Sequence, residues 1–455
     1  MKNDGKSLLE EIASKEFLHK SWKKLNKTNK FSRGLSNITI KDFDDNLDAN
    51  LDSISKALLS GKYNFSGVRA VKIPKNNSPD FRPLRIGEIR DRIVQKALSI
   101  KLDQLLSDTF NLDNECSFAY RKNKNVENAI TKMVEYYNQG FKIILEADIV
   151  KFFDSVLKSD LLQQIQKSLP DTSINSLLVS ATNQEIGNSE TFSKEEFEKY
   201  FSNSEEGIPQ GNALSPLLAN IYLAGFDKRM IESKIKMIRY ADDFIIMCET
   251  QQIAESALQI AKEELEIKLS LTIHPLGNSM DENAKTRIVN PMMHKFSFLS
   301  IRFDGKRCWV KDKKVKLIID KIEQITSVKE SQLNLKSKAL LPILNSLKNT
   351  VEGWIAAYYF VDLSYDLIEI DKHINRCLHN LLNDLGFTLD KKSLEKISFK
   401  GKSNEIWALN KQQRANIGIP YCHELWMKLR SSASGINSWN ADEKKAPIKK
   451  WEKAL

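Results

Sequence analysis

Two periods of apolar residues alternate along this 455-residue chain. Short apolar runs with β-branched and aromatic character predict strands at Ile143 to Leu145, and on either side of a polar turn at Met237-Ile238 and Phe244 to Met247. Elsewhere the spacing is helical. Leu47, Leu51, Ile54 and Leu58/Leu59 predict a helix with one packing face within a polar, helical first 60 residues. A strand over Val68 to Ile73 leads into the polar turn Lys75-Asn-Asn-Ser-Pro-Asp80, and an amphipathic helix is predicted from Ile89 to Leu105. Residues 161–206, rich in Ser, Asn and Glu, predict a mostly helical insertion. Beyond Arg307, Val315 to Ile325, Leu340 to Phe360 and Leu367 to Leu385 predict three helices in a bundle. The last segment, 400–455, sets Trp407, Trp426, Trp439 and Trp451 among lysines, either as anchors onto the body or as a base-stacking surface.

Composition narrows the class. A chain of this length exceeds what one core usually organises, so two or three subdomains are expected. With 69 basic against 59 acidic residues, the net charge of +10 favours a polyanionic partner without identifying it. Cys116, Cys248, Cys308, Cys377 and Cys422 are scattered and form no C-x-x-C pair. That argues against a zinc ribbon or a disulfide framework and suits a reducing cytoplasm. No run of 18 apolar residues occurs, and Met1 to Lys6 lacks the apolar segment of a signal peptide, so a soluble cytoplasmic protein with no membrane association is expected.

The chemistry is suggested by three acids. Asp242 and Asp243 stand at the tip of the hairpin predicted within Met237 to Met247, held by apolar strands on both sides. Hard oxygen ligands suit Mg²⁺, which takes one or two protein carboxylates and completes its shell with water and phosphate. A solvated Asp-Asp turn is the alternative. Asp148 stands just past the strand Ile143 to Leu145. If that strand lies beside the hairpin, the three carboxylates meet and can hold two metal ions roughly 3.5–4 Å apart, the clamp for in-line phosphoryl displacement. By itself, Asp148 reads first as the N-cap of a short helix over Lys151 to Ser155.

Order and spacing then carry a resemblance. Tyr240-Ala-Asp-Asp243 resembles the Y-x-D-D box of reverse transcriptases, Asp148 with Phe152-Phe153 their first catalytic motif, and Gly207-Ile-Pro-Gln-Gly-Asn-Ala-Leu-Ser-Pro to Tyr222 the motif between them. Lys72-Ile-Pro-Lys75, Phe81-Arg-Pro-Leu84, Asp91-Arg-Ile-Val-Gln95 and Ser117-Phe-Ala-Tyr-Arg121 are similar to the fingers and following motifs of the group II intron-like lineage. Lys285-Thr286, Phe298-Leu299, Val351 to Tyr359 and Ile370 to Arg376 resemble its later motifs and thumb, so the likeness covers about Gly34 to Leu382. It implies an α+β right-hand polymerase fold: N-terminal extension and fingers over 1–140, a palm with a ferredoxin-like sheet over 141–305, a helical thumb over 306–399, and the segment 400–455.

The resemblance also implies roles. Asp148, Asp242 and Asp243 would bind two Mg²⁺ ions, replaceable by Mn²⁺, and Lys285 would protonate the leaving pyrophosphate. Lys75 and Arg82 would hold the triphosphate of the incoming dNTP, Tyr240 would complete the nucleotide site, and Gln210 would contact the nascent base pair. Phe153, five positions after Asp148, would exclude a ribose 2′-hydroxyl; the alternative makes Phe153 a core residue and turns Phe152 to the site. Lys75 and Lys285 each also read as surface cations. Gly34-Leu-Ser-Asn37, Asn212, Ser300 and an extra loop at about His274 to Ala284 depart from the intron-encoded pattern, and Cys422 with His423 cannot build a zinc nuclease. The expected enzyme is therefore a stand-alone, defence-associated reverse transcriptase of the unknown-group or abortive-infection type. It would copy an RNA template, a structured non-coding RNA, into cDNA, with homo-oligomerisation left open. The alternatives are an endonuclease-free group II intron maturase and a non-catalytic RNA-binding scaffold.

Overall fold

The computed structural model describes residues 5–75, 79–202, 206–328, 340–399 and 405–432. Trp439, Trp451 and the turn residues 76–78 lie outside them. The chain divides into two compact units, Met1–Val289 and Asn290–Leu455.

In the first unit, α1 (Leu8–Ala13) and α2 (Lys15–Lys23) pack on α5 (Ile89–Leu106), while α4 (Leu47–Leu59) packs on α1 and α2 and α3 (Ile40–Asp45) on α4. The predicted face of α4 buries Leu51, Ile54 and Leu58, while Leu59 stays exposed. The helix α5 differs from the amphipathic expectation: Gln104 is its one exposed residue. The helices α1 and α2 and a later one, α9 (Asn175–Thr182), all pack on it, and its buried Asp91 and Gln95 find partners inside the unit. Tyr63 Oη donates to Asp91 Oδ1 at 2.7 Å, Ser66 N donates to Asp91 Oδ2 at 2.9 Å, and Gln95 Nε2 donates to Gln184 Oε1 at 2.6 Å.

The strands β1 (Arg69–Pro74) and β2 (Phe81–Ile86) form an antiparallel hairpin. The helix α6 (Val126–Asn138) leads to β3 (Ile143–Ala147), followed by α7 (Phe152–Ser155), α8 (Lys158–Lys167), α9 and α10 (Lys194–Phe201). The expected insertion is helical, yet its first two helices bury Leu161, Leu162, Ile165, Leu177 and Leu178 in the main core, so they are part of the body. After α11 (Ser215–Tyr222) and α12 (Ala224–Glu232) come β4 (Lys236–Tyr240), β5 (Asp243–Cys248), α13 (Gln251–Lys262) and β6 (Arg287–Val289). The strands β3 to β6 make one antiparallel sheet in the order β4-β5-β3-β6. With helices between β3 and β4 and between β5 and β6, this is the ferredoxin-like order the resemblance implied. Phe244 to Cys248 are buried without alternation, as a strand covered on both faces requires.

The second unit opens with an antiparallel meander of β7 (Phe296–Phe298), β8 (Ile301–Phe303) and β9 (Cys308–Val310). Leu299 and Ser300 both adopt positive φ, 51° and 69°, in the two-residue turn between β7 and β8. A primed hairpin turn demands this, which explains why glycine suits the Ser300 position. The helices α14 (Asp312–Thr326), α15 (Leu340–Tyr358) and α16 (Ser364–Asp384) follow close to the predicted spans and pack together. A short hairpin, β10 (Glu395–Ile397) with β11 (Ile406–Ala408), precedes α17 (Lys411–Asn416) and α18 (Cys422–Ser432). Trp426 is an anchor: it is buried, and its Nε1 donates to the Tyr359 carbonyl at 3.0 Å. Trp407 is instead exposed beneath Lys396.

Candidate active site at the end of the central sheet

The sheet register sets the site. Tyr240 pairs with Asp243, leaving Ala241 and Asp242 as a two-residue turn in which Ala241 takes a φ of 60°. Ala147 pairs with Phe244, so the next position on β3, Asp148, falls opposite Asp243. Glu146 pairs with Arg287, and the same register carried two residues on sets Lys285 opposite Asp148. Lys285 Nζ there donates to Asp148 Oδ2 at 3.0 Å. The N-cap alternative for Asp148 does not hold, because Lys151 occupies the cap of α7.

Electrostatics mark the acids as a strained set. Burial, and then the charge of Asp148, raise the Asp242 carboxyl, against opposing effects of Arg82 and Lys285. Asp243 keeps solvent contact, yet burial of its carboxyl followed by the charges of Asp242 and Asp148 push it up to about 7. At Lys285 burial is the largest single effect and works against the charge, but the bond to Asp148 together with the charges of Asp148, Asp243 and Glu146 keeps the ammonium above its ordinary value. Among the described residues, no three His, Cys, Asp or Glu side chains are arranged to close around an ion by themselves. The donor chemistry nevertheless fits a hard divalent cation, since Mg²⁺ needs only one or two protein carboxylates and these acids repel one another without it.

A cavity of about 800 Å³ opens on the hairpin side of this point. Its lining includes Lys75, Arg85, Lys151, Phe153, Asp154 and Gln210. Phe153 faces the cavity whereas Phe152 is a core residue, packed against Tyr222. Side chains alternate along β2, so Phe81, Pro83 and Arg85 line the cavity and Arg82 stands on the other face, where Asp242 senses its charge. Lys75, Phe153 and Gln210 thus share one chamber, and Arg82 belongs with the carboxylates. Burial raises the Asp154 carboxyl, opposed by Lys151, Lys75 and Arg85.

The departures from the intron-encoded pattern have structural counterparts. Asn212 Nδ2 donates to the Ala181 carbonyl at 2.7 Å, and its Oδ1 accepts from Leu214 N, so it ties the 207–211 turn to α9. Gly211 (φ 97°) must stay glycine, because a Cβ there would meet the Arg85 carbonyl at 2.9 Å. Ser36 donates to Glu88 through both its amide and its hydroxyl, fastening the 34–37 loop to α5. The extra loop is pinned at its base by Val150 N to Thr272 O, His274 N to Asp148 O and Gly277 N to Thr286 O, which keeps Lys285 in register.

Two features escaped the sequence reading. Arg239, within β4, is fully buried and bonded to Asp227, Ser117, Asn220 and the Ala241 carbonyl, the last at 2.9 Å. It therefore braces the turn that carries Asp242. A cation inside an apolar strand was the available signal, since a buried charge is kept only when paired. Arg85 was legible too, from the period-two alternation of Phe81, Pro83 and Arg85.

With this geometry in place, residues 73–276 match the family model described as reverse transcriptase (RNA-dependent DNA polymerase). The match takes in β2 to β5, and so Asp148, Asp242 and Asp243, and marks that stretch as similar to reverse transcriptase domains. The chain is 25% identical over 266 residues to protein YkfC of Escherichia coli (strain K12), covering 49% of this chain and 66% of that protein. It is 30% identical over 195 residues to the group II intron-encoded protein LtrA of Lactococcus lactis subsp. cremoris, covering 43% of this chain and 30% of LtrA. A chain in a partial Cas6-RT-Cas1–Cas2 complex aligns with 58% of this chain and 43% of its own length, at 23% identity and a TM-score of 0.33. The chain thus spans 66% of the first of these curated relatives and 30% of the second.

Proposed function

We propose that the whole protein is an RNA-directed DNA polymerase that extends a primer along an RNA template by nucleotidyl transfer. The observation that supports this best is the meeting of Asp148, Asp242 and Asp243 at one end of the sheet, with Lys285 bonded to Asp148. In this reading Asp148 and Asp242 hold two Mg²⁺ ions, with Asp243 contributing less directly, and Mn²⁺ substitutes. The ions, when bound, lower the pKa of the primer 3′-hydroxyl and neutralise the triphosphate. Arg82 grips phosphate oxygens with its planar fork, and Lys75 adds a point charge from the chamber side. Lys285, drawn to the acids, supplies a proton to the departing pyrophosphate. Gln210 and Tyr240 border the nascent pair, and the Phe153 ring lies under the sugar. A non-catalytic scaffold is disfavoured, because it has no use for three mutually repelling carboxylates.

The finer role we infer is antiviral defence, with a dedicated structured RNA copied into cDNA. Maturation of a group II intron is the second reading, favoured by the likeness to LtrA. Sequencing the RNA that co-purifies with the protein separates them: intron RNA supports the second, and a distinct structured RNA the first.

Three results are expected. Chelation stops extension, and a divalent cation raises the thermal midpoint of the wild type more than that of Asp148→Asn; equal shifts would remove the cation from these acids. Phe153→Val lowers discrimination against ribonucleotides by about tenfold to a hundredfold, as expected where a hydroxyl is excluded by shape alone. An unchanged ratio of deoxy- to ribonucleotide incorporation contradicts that role. Affinity for single-stranded RNA falls with salt at a log–log slope of about −0.7 for each phosphate neutralised. A flat salt profile would show that phosphate contacts do not dominate.

A further inference from the structure

The β1–β2 hairpin carries both Lys75 and Arg82; on the β2 edge Arg85 N donates to the Gln210 carbonyl at 2.8 Å, and further fastenings lie along the β1 edge and at the distal end. On the β1 edge, Val68 N donates to the Glu185 carbonyl at 2.7 Å and Gly187 N to the Val68 carbonyl at 3.0 Å. Asn188 continues this pairing through its side chain, accepting from Ala70 N at 2.7 Å and donating to Ala70 O at 3.1 Å. At the far end Lys75 N donates to the Asp80 carbonyl at 2.9 Å, closing the hairpin. The Asp80 carboxylate in turn accepts from Lys199 Nζ at 2.9 Å and from Tyr200 Oη at 3.3 Å, both on α10. The Phe81 and Tyr200 rings meet edge to face at 5.9 Å, and Lys72 pairs with Glu196 on the same helix.

Each link is modest alone. The Lys199–Asp80 pair is exposed, and such pairs contribute little singly. Arranged along one helix and one short segment, however, the links restrain a two-stranded ribbon, a unit that is only marginally stable in isolation. Without them the positions of Lys75 and Arg82 would average over hairpin motions.

We propose that residues 184–188 and α10 form a fixed brace that holds the hairpin ready for the incoming nucleotide, with Lys199 and Tyr200 as positioning residues acting through Asp80. This rests on the reading of Lys75 and Arg82 as triphosphate ligands. Lys199 and Tyr200 also line the chamber shared by Lys75, Phe153 and Gln210, so hydrogen exchange measured without nucleotide is the readout that isolates the brace from any direct contact. It spares ordering of the hairpin on binding, which would otherwise weaken affinity.

The test uses the full chain with Lys199→Met/Tyr200→Phe. Hydrogen exchange without nucleotide should be faster at the amides of β1 and β2 in the variant, and unchanged at β3 and β5. In steady-state extension, KM for dNTP should rise about threefold to tenfold, the scale of an ion pair and one hydrogen bond, with kcat at saturation nearly constant. Lys199→Arg in an otherwise wild-type chain should keep KM near its normal value. Unchanged exchange overturns the brace, as does faster exchange with unchanged KM, or a fall in kcat alone. If the wild type extends no primer, the polymerase reading fails, and hydrogen exchange still decides whether the brace exists.

Discussion

Asp242→Asn is expected to abolish primer extension, by at least about a hundredfold to a thousandfold, the scale on which a preorganised electrostatic group acts. The substitution keeps the shape of the turn and removes one charge. RNA affinity and its salt dependence should persist, because the phosphate-gripping cations are untouched. Stability should hold or rise. The Asp242 carboxyl is raised above its ordinary 3.8 by burial and then by Asp148. A carboxylate with a folded pKa above its unfolded value destabilises the fold once the pH exceeds the unfolded value, so a neutral amide relieves that effect at neutral pH. Primer extension, RNA titration and thermal unfolding on the same preparations test all three statements. A fully active Asp242→Asn protein would sink the assignment, and a clearly less stable one would mean that the turn needs its charge for folding.

Arg239→Met is expected to have the largest effect on stability. It strands Asp227, which is 1% exposed, without its cation, and breaking a buried pair from one side costs about 3–5 kcal/mol. Replacing both partners, as Arg239→Met/Asp227→Leu, should recover much of the stability, because no buried charge is then left unpaired. Extension should remain poor in the double variant. The guanidinium also holds the Ala241 carbonyl in a turn where Ala241 has a φ of 60°, and neither Met nor Leu replaces that bond. Urea unfolding and extension rates separate the two effects. Full recovery of activity along with stability would make Arg239 a core residue and nothing more.

Secondary structure was legible because it follows from near neighbours. The strand ending before Asp148, the hairpin around Asp242 and Asp243, and the three helices after Arg307 all express a local period of two or 3.6 residues. The acids were legible for the same reason: carboxylates beside apolar runs stand out without knowledge of any partner. The helix α5 was misjudged because periodicity reports one packed face, and here Asp91 and Gln95 find buried partners at Tyr63, Ser66 and Gln184 that only the assembled unit supplies.

What the tertiary structure decided is pairing at a distance. Lys285 and Asp148 are 137 positions apart, and Arg239 and Ser117 are 122 apart. The order of strands and their register bring these groups together, and a shift of one residue would turn each side chain to the opposite face. Of the two neighbours Phe152 and Phe153, a sequence can say that one must be core; the packing of Phe152 against Tyr222 chooses which. Arg82 and Arg85, three residues apart on β2, likewise fall on opposite faces, one toward the acids and one into the cavity. The sequence by itself therefore determined the elements and the chemical groups, because short-range periodicity and residue type are local properties. Only the fold decided which groups meet, because that depends on long-range packing and on strand register.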